Sequence, residues 1–293
     1  MANRGMRLSV ATPILTMLPG AHARWEEHGS IADLTRIAQV ADRLGYHHLT
    51  CSEHVVVPVS EARRRGARYW DPLATFGYLA SQTRRIRFAT YVLVLGYHHP
   101  LEIAKRYGTL DHISGGRLIL GVGVGTLKEE FELLGAPFDD RGARADDALK
   151  ALRTALSRRR PTYHGAFYSF EDLIVDPCAV QDHVPIWVGG RTRRSLQRAV
   201  ALADGWCPFS VTAEQVGRWL REVDRPPDFE VVLAPERLLD PGKEPAATED
   251  TLASMAAQGV TIVVTRVVHH SLEHYLEQLE ALMAAGTAHP SSD

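Results

Sequence analysis

Eight short, almost uncharged apolar runs, set apart by amphipathic stretches, limit most strictly what this chain can form. They fall at residues 8–12, 48–52, 86–95, 118–124, 186–189, 206–209, 230–233 and 260–265. A strand with one wet face alternates apolar and polar residues; these runs are apolar nearly throughout, as strands covered on both faces must be. Between them lie helical patterns. Ser30 is placed to cap a run in which Ile31, Leu34, Ala38, Ala41 and Leu44 recur at helical spacing until Gly45. Pro100 opens another, with Ile103, Tyr107 and Leu110 on one face, and Ser114, Gly115 and Gly116 end it. Strands alternating with helices predict parallel βα units. The expected fold class is therefore α/β, a (β/α)8 TIM barrel forming a single domain over 1–293.

Two connections break the rhythm and read as insertions. Residues 55–70 follow the second strand and are a candidate lid or substrate wall, because loops after strands build the active face of a barrel. Residues 161–176 alternate about Gly165 and predict a hairpin. The polar tail at 287–293 is expected to be disordered.

Composition narrows the partners. With 45% hydrophobic residues the chain can build a full core, and its net charge of -2 offers no footprint for nucleic acid or an anionic membrane. The arginine runs at 63–65 and 158–160 read as solvated faces first and anion-binding patches second. No run approaches the roughly 20 apolar residues of a membrane helix. The three cysteines, Cys51, Cys178 and Cys207, are odd in number and widely spaced, which argues against a disulfide framework and for a reducing, cytoplasmic compartment. His270 and His274 stand four apart, but no third ligand is in sight, so no metal site is expected and the pair reads as a solvated face.

The stretch from Gly116, GRLILGVGVGTLKEEFELLG, runs from a strand through alternate glycines at 121, 123 and 125 into a helix expected to open near Leu127. Such a turn lets backbone approach an anionic ligand at a helix N-terminus, and it also serves as a tight corner. Both readings stay open on these residues alone.

Four motifs in order carry a resemblance. SEHVVVP at 52–58, TRRIRFATYVLVLGYHHP at 83–100, TLDHISGGRLILGVGVGTLKEEFELLG at 109–135, and PIWVGGRT with DGW between 185 and 206 resemble the bacterial luciferase-like superfamily, in particular its coenzyme F420-dependent oxidoreductases. The resemblance implies a luciferase-like TIM barrel that binds the deazaflavin F420 across the C-terminal ends of its strands and acts on a small-molecule substrate, as a homodimer. It further implies a cis peptide at Tyr91-Val92 and a ring backstop of Tyr91, Val92 and Val94. The cofactor's linker would run along Gly123, Gly125 and Thr126. Gly189, Gly190 and Thr192 would cradle its phosphate, with Arg191 adding charge. His54 is implied as general acid or base, with Glu53 beside the cofactor, accepting from it or orienting the histidine.

Departures matter as much. Thr126 stands where the sugar-phosphate dehydrogenases of this superfamily carry an acidic glutamate, and Pro58 stands where they carry a tryptophan. Oxidation of sugar phosphates by that route is not expected. Trp70 is placed either in the substrate wall or under the loop as core, and His98 replaces an arginine common at its position. The implied function is hydride transfer between F420 and a small organic molecule: reduction of an activated C=C or C=N bond, or oxidation of an alcohol. The alternatives are an FMN-dependent monooxygenase on the same barrel and a non-catalytic flavin-binding protein. A Rossmann dehydrogenase is disfavoured, because its G-x-G-x-x-G belongs after the first strand, and here G-x-G-x-G follows the fourth.

Overall fold

The computed structural model describes residues 5–287. Its strands are β1 (Arg7–Val10), β2 (His48–Cys51), β3 (Arg87–Thr90), β4 (Leu93–Val94), β5 (Leu118–Gly123), β6 (Tyr163–His164), β7 (Ser169–Phe170), β8 (Ile186–Gly190), β9 (Gly205–Pro208), β10 (Glu230–Leu233) and β11 (Ile262–Thr265). All but β6 and β7 join one parallel sheet in the order β3-β2-β1-β11-β10-β9-β8-β5-β4, and β3 also pairs with β5, which closes it. Because β3 and β4 are two pieces of one stave, the result is the expected closed eight-stave barrel.

The helices around it are α1 (Ile31–Leu44), α2 (Val59–Arg65), α3 (Pro72–Gln82), α4 (Pro100–Ser114), α5 (Lys128–Leu133), α6 (Arg141–Ala155), α7 (Arg193–Leu202), α8 (Ala213–Leu220), α9 (Pro245–Ala257) and α10 (Leu272–Thr287). The start of α1 is the capping box its sequence announces: the Asp33 amide donates to Ser30 Oγ at 3.2 Å and the Ser30 amide to the Asp33 carboxylate at 2.8 Å. Gly45 ends that helix at φ +86°. Among the described residues no helix is long and apolar enough to cross a membrane.

Several boundaries differ from those expected, each for a local reason. The first strand stops at Val10 because the Thr12 amide turns to the Thr50 hydroxyl, 3.2 Å away. The run 86–95 is not one strand: the ladder lapses at Tyr91 and Val92, whose peptide is cis, and a 3₁₀ turn follows at Leu95–Tyr97. Residues 55–70 hold α2, and the helix after the glycine turn is the six-residue α5. The hairpin is present as β6 and β7, tied down by Asp147, which accepts from the Phe167 amide at 2.7 Å and from Tyr163 Oη at 2.5 Å. Of the tail at 287–293, Thr287 belongs to α10 and the rest lies outside the described residues.

One apolar core lies between barrel and helices, and a second fills the barrel with Ala89, Ile119, Trp187, Cys207, Val232, Ile262 and Val264. Beneath this plug the first residues of several strands form a polar floor. Arg7 pairs with Glu230 at 2.7 Å, Trp187 Nε1 donates to the same carboxylate at 2.7 Å, and Arg7 donates to His47 Nε2 at 3.1 Å. With His47 Nε2 accepting, its Nδ1 donates to His48 Nδ1 at 2.9 Å. Burial, reinforced by the Arg7 and Arg87 guanidiniums, holds the His47 pKa down to about 3. His48 is pushed down by the same forces.

Two outcomes follow. Between pH 6.5 and about 3 the unfolded chain protonates at His47 and the folded chain does not, so stability present above pH 6.5 is lost on acidification at about 1.4 kcal/mol per pH step. Urea unfolding of His47→Gln across that range should show a shallower decline than wild type. The second concerns two glycines with opposite surroundings. A Cβ on Gly121 would lie 2.0 Å from the Thr90 carbonyl oxygen, whereas one on Gly77, in α3, meets nothing within 4 Å. Gly121→Ala should therefore destabilise by about 1–3 kcal/mol or more, and Gly77→Ala should stabilise by roughly 0.5–1 kcal/mol, as read from urea midpoints.

Candidate active site

The C-terminal ends of the staves open into a cleft of 1250 Å³. Its floor is made by the lapse between β3 and β4. Val92 leans from that lapse toward the neighbouring staves, where a Cβ on Gly123 would come within 2.8 Å of it and one on Gly189 within 2.9 Å. Tyr91 and Val94 line the cleft on either side of Val92. The glycines thus have a first reason inside the protein: any side chain there would collide with Val92 before it met a ligand. Gly125, at φ +78°, is likewise closed in by Phe131 and Val94, so the room attributed to the cofactor's linker is shared with the protein's own packing.

Gly189, Gly190, Arg191 and Thr192 line the cleft together, at the start of α7. Thr192 caps that helix reciprocally with Ser195: each side chain accepts from the other's amide at 3.3 Å. A Cβ on Gly190 would strike Ser195 at 2.5 Å, so the cap itself requires that glycine. The Thr192 amide expected for a phosphate is thereby used within the chain. Arg191 and Arg194 remain, both lining the cleft and neither hydrogen-bonded or ion-paired to any described residue. An anion on this wall would meet guanidiniums as well as peptide N–H groups.

His54 follows β2 and lines the cleft. Its Nδ1 lies 2.6 Å from Glu130 Oε2, and Tyr97 Oη donates to the same oxygen at 2.6 Å. The amides of Val55 and Val56 donate to Glu130 Oε1 at 2.7 and 3.2 Å. Burial opposes ionisation of this fully buried carboxyl, but the bonds from His54 and Tyr97, with the backbone, outweigh it and hold its pKa below the usual range. Glu130 is therefore a fixed acceptor: it accepts the hydrogen bond from Nδ1–H and leaves Nε2 as the ring nitrogen available for chemistry. Tyr69 packs edge-on to the His54 ring, with centroids 4.5 Å apart.

The carboxylate on His54 is Glu130 and not Glu53. Glu53 also lines the cleft, but one of its oxygens accepts from the Val94 amide at 2.7 Å and the other from His98 Nε2 at 2.8 Å. It ties the end of β2 to the far side of the Val92 lapse. Burial disfavours the charged His98 ring, yet the bond to Glu53 and the charges of Glu53 and Glu102 raise its pKa overall. His98 is thus committed to Glu53. Thr126 lines the cleft, exposed, beside Arg65. Trp70 does not line it: that ring packs on the core while its neighbour Tyr69 takes the wall.

Glu130, Tyr69 and Tyr97 were not among the residues anticipated from sequence. For Glu130 a signal existed. Leu127, just before α5, and Glu130 and Phe131 within it recur at helical spacing, so a carboxylate falls at a position where periodicity asks for an apolar side chain. Such a residue is either unpaired and costly or committed to partners.

A family model described as luciferase-like monooxygenase matches residues 12–290. An uncharacterized protein of Mycobacterium tuberculosis is 30% identical over 201 residues, 64% of this chain and 71% of its own length. Among solved structures, the monooxygenase RslO1 from Streptomyces bottropensis is 21% identical with a TM-score of 0.75, covering 96% of this chain and 98% of its own. An F420-dependent secondary alcohol dehydrogenase in complex with an F420-acetone adduct has a TM-score of 0.71 at 13% identity, over 95% and 99% of the two chains. The oxygenating constituent of 3,6-diketocamphane monooxygenase from Pseudomonas putida, in complex with FMN, has 0.72 at 16%, over 97% and 98%. At these identities the structures speak for the shared fold.

Glu130→Gln preserves shape but turns one acceptor oxygen into a donor facing other donors. It should cost about 1–3 kcal/mol in urea unfolding. In ¹⁵N spectra the neutral His54 ring should pass from the Nδ1–H form to a mixture of tautomers. A variant of wild-type stability with an unchanged tautomer would contradict the assignment.

Proposed function

The chain belongs to the luciferase-like monooxygenase family, and from that premise we propose that it is a coenzyme F420-dependent oxidoreductase. It moves a hydride between the deazaflavin and a small organic molecule, with His54 as proton donor and acceptor. The observation that carries the reading is the Nδ1 contact of His54 with Glu130, which leaves Nε2 available at the cleft wall.

The residues present suit the group. Of the seven arginines that line the cleft, Arg64 and Arg65 pair with Glu61 and Arg198 pairs with Asp146, whereas Arg191, Arg194 and Arg266 have no ion-pair partner among the described residues. That surplus favours a cofactor bearing both a phosphodiester and a carboxylate tail over FMN with its single phosphate. Arg191, Arg194 and the turn at Gly190 would hold the phosphate, and Tyr91, Val92 and Val94 would back the ring. When bound, the deazaflavin supplies a two-electron carrier whose hydride exchanges with an electrophilic carbon.

Glu130, kept ionised, accepts from Nδ1–H throughout, so His54 exchanges protons at Nε2 only. In the oxidising direction neutral Nε2 takes the hydroxyl proton of an alcohol. In the reducing direction the imidazolium gives it back, and Glu130 stabilises the cation in either case. Tyr97 holds the carboxylate from its other side, and Tyr69 limits rotation of the ring.

With F420 supplied, His54→Ala should bind cofactor as wild type does while turnover, followed by deazaflavin absorbance, falls about 10²–10⁴-fold. Unchanged turnover would remove His54 from the proton path. Activity only with FMN and dioxygen would replace the hydride reading by the monooxygenase one.

A further inference from the structure

Resting on that reading of the site, we propose that the substrate is an apolar carboxylic acid whose carboxylate pairs with Arg65 on the lid helix. The helix α2, inside the insertion at 55–70, turns Arg64 and Arg65 into the cleft. Arg65 Nε donates to Glu61 at 3.1 Å, but Glu61 also serves Arg64, so a single carboxylate faces two guanidiniums. The Arg65 Nη1 contact with the Thr126 hydroxyl, at 3.4 Å, is long and weak, and Nη2 bonds to no described residue. The side chain is only 20% exposed, so its charge is poorly screened. A largely buried guanidinium with Nη2 uncommitted and Nη1 only weakly held presents, at that end, the planar fork that takes a carboxylate through two parallel bonds.

The surroundings select the rest of the molecule. Tyr69 donates to the Arg65 carbonyl at 2.6 Å and packs on His54, which sets the guanidinium's helix and the proton-transfer ring on one wall. Leu18 lines the same cleft while 44% exposed, and the backbone beside it abuts Gly66, directly after Arg65. Tyr97 adds a further aromatic surface. Apolar side chains left open beside an under-neutralised cation suit an anion with an apolar body. Thr126 completes the case: it places a hydroxyl, and no opposing charge, against Arg65.

The test is calorimetric titration of the full chain, with and without F420, using trans-cinnamate and its neutral near-isostere cinnamamide. The acid should bind about tenfold or more tightly than the amide. Arg65→Met should erase that preference, Arg65→Lys should keep part of it, and Glu61→Gln, which leaves Arg65 less neutralised, should keep or enlarge it. F420 affinity of Arg65→Met should stay within about twofold of wild type. Equal binding of acid and amide, or a preference that survives in Arg65→Met, would overturn the proposal. So would a loss of F420 affinity in Arg65→Met, which would give this arginine to the cofactor's own anionic tail. The titration without cofactor separates the two levels: should F420 fail to bind at all, the functional reading falls, and the comparison of acid with amide still decides the role of Arg65.

Discussion

Between Thr90 and Leu93 the third stave leaves its ladder, and the side chain of Val92 is set among the glycines of two neighbouring staves, 2.8 Å from where a Cβ of Gly123 would lie and 2.9 Å from that of Gly189. Close packing at that point leaves no room for a methyl group. The floor of the cleft, the exit of β5 into the glycine turn and the exit of β8 toward α7 all meet there. The Thr90 hydroxyl, donating to the Gly121 carbonyl at 2.7 Å, keeps the two strands in register just before the lapse. Glu53 holds the chain just after it through the Val94 amide. The barrel mouth is thus shaped by one valine and by the absence of side chains around it.

Above this floor the chemistry rests on a second carboxylate. Glu130 gathers four donors, two from backbone after His54 and two from side chains, and in doing so fixes the loop, the histidine and Tyr97 together. A buried carboxylate with so many donors stays ionised and cannot itself serve as an acid. Its work is to fix the tautomer and to stabilise charge on the imidazole. The residue after the glycine turn, Thr126, carries no charge, and a guanidinium from the lid occupies its surroundings instead. On the proposed substrate side the local charge is therefore positive.

Much of this was legible in the sequence. Eight apolar runs of strand length have few ways to be covered on both faces, and the capping pairs at Ser30 and the stop at Gly45 fixed the ends of α1. The motifs at 52–58 and 185–192 brought His54, Glu53 and the Gly189–Thr192 turn to one cleft. The lapse in the third stave could not be read from propensity, because Tyr91, Val92, Leu93 and Val94 all favour strand; the family resemblance is what placed a cis peptide at Tyr91-Val92, where the structure has it. Glu130 sits inside LKEEFE, where the neighbouring charges mask the helical spacing with Leu127 and Phe131 that singles it out. Tyr69 and Trp70 differ by one position, and which of them reaches the cleft depends on how the 55–70 segment docks: Tyr69 bridges to Thr16, which turns Trp70 inward. Likewise, nothing in the run 63–65 tells which arginine meets the site until α2 is seated.

Whether this cleft holds the deazaflavin, as proposed, is decided by competitive titration of the purified chain with F420 and FMN, each followed by the quenching of ligand fluorescence. F420 should bind saturably and about tenfold or more tighter than FMN, weakening as salt rises because the cationic wall dominates. Tight FMN binding with no detectable F420 binding would contradict it.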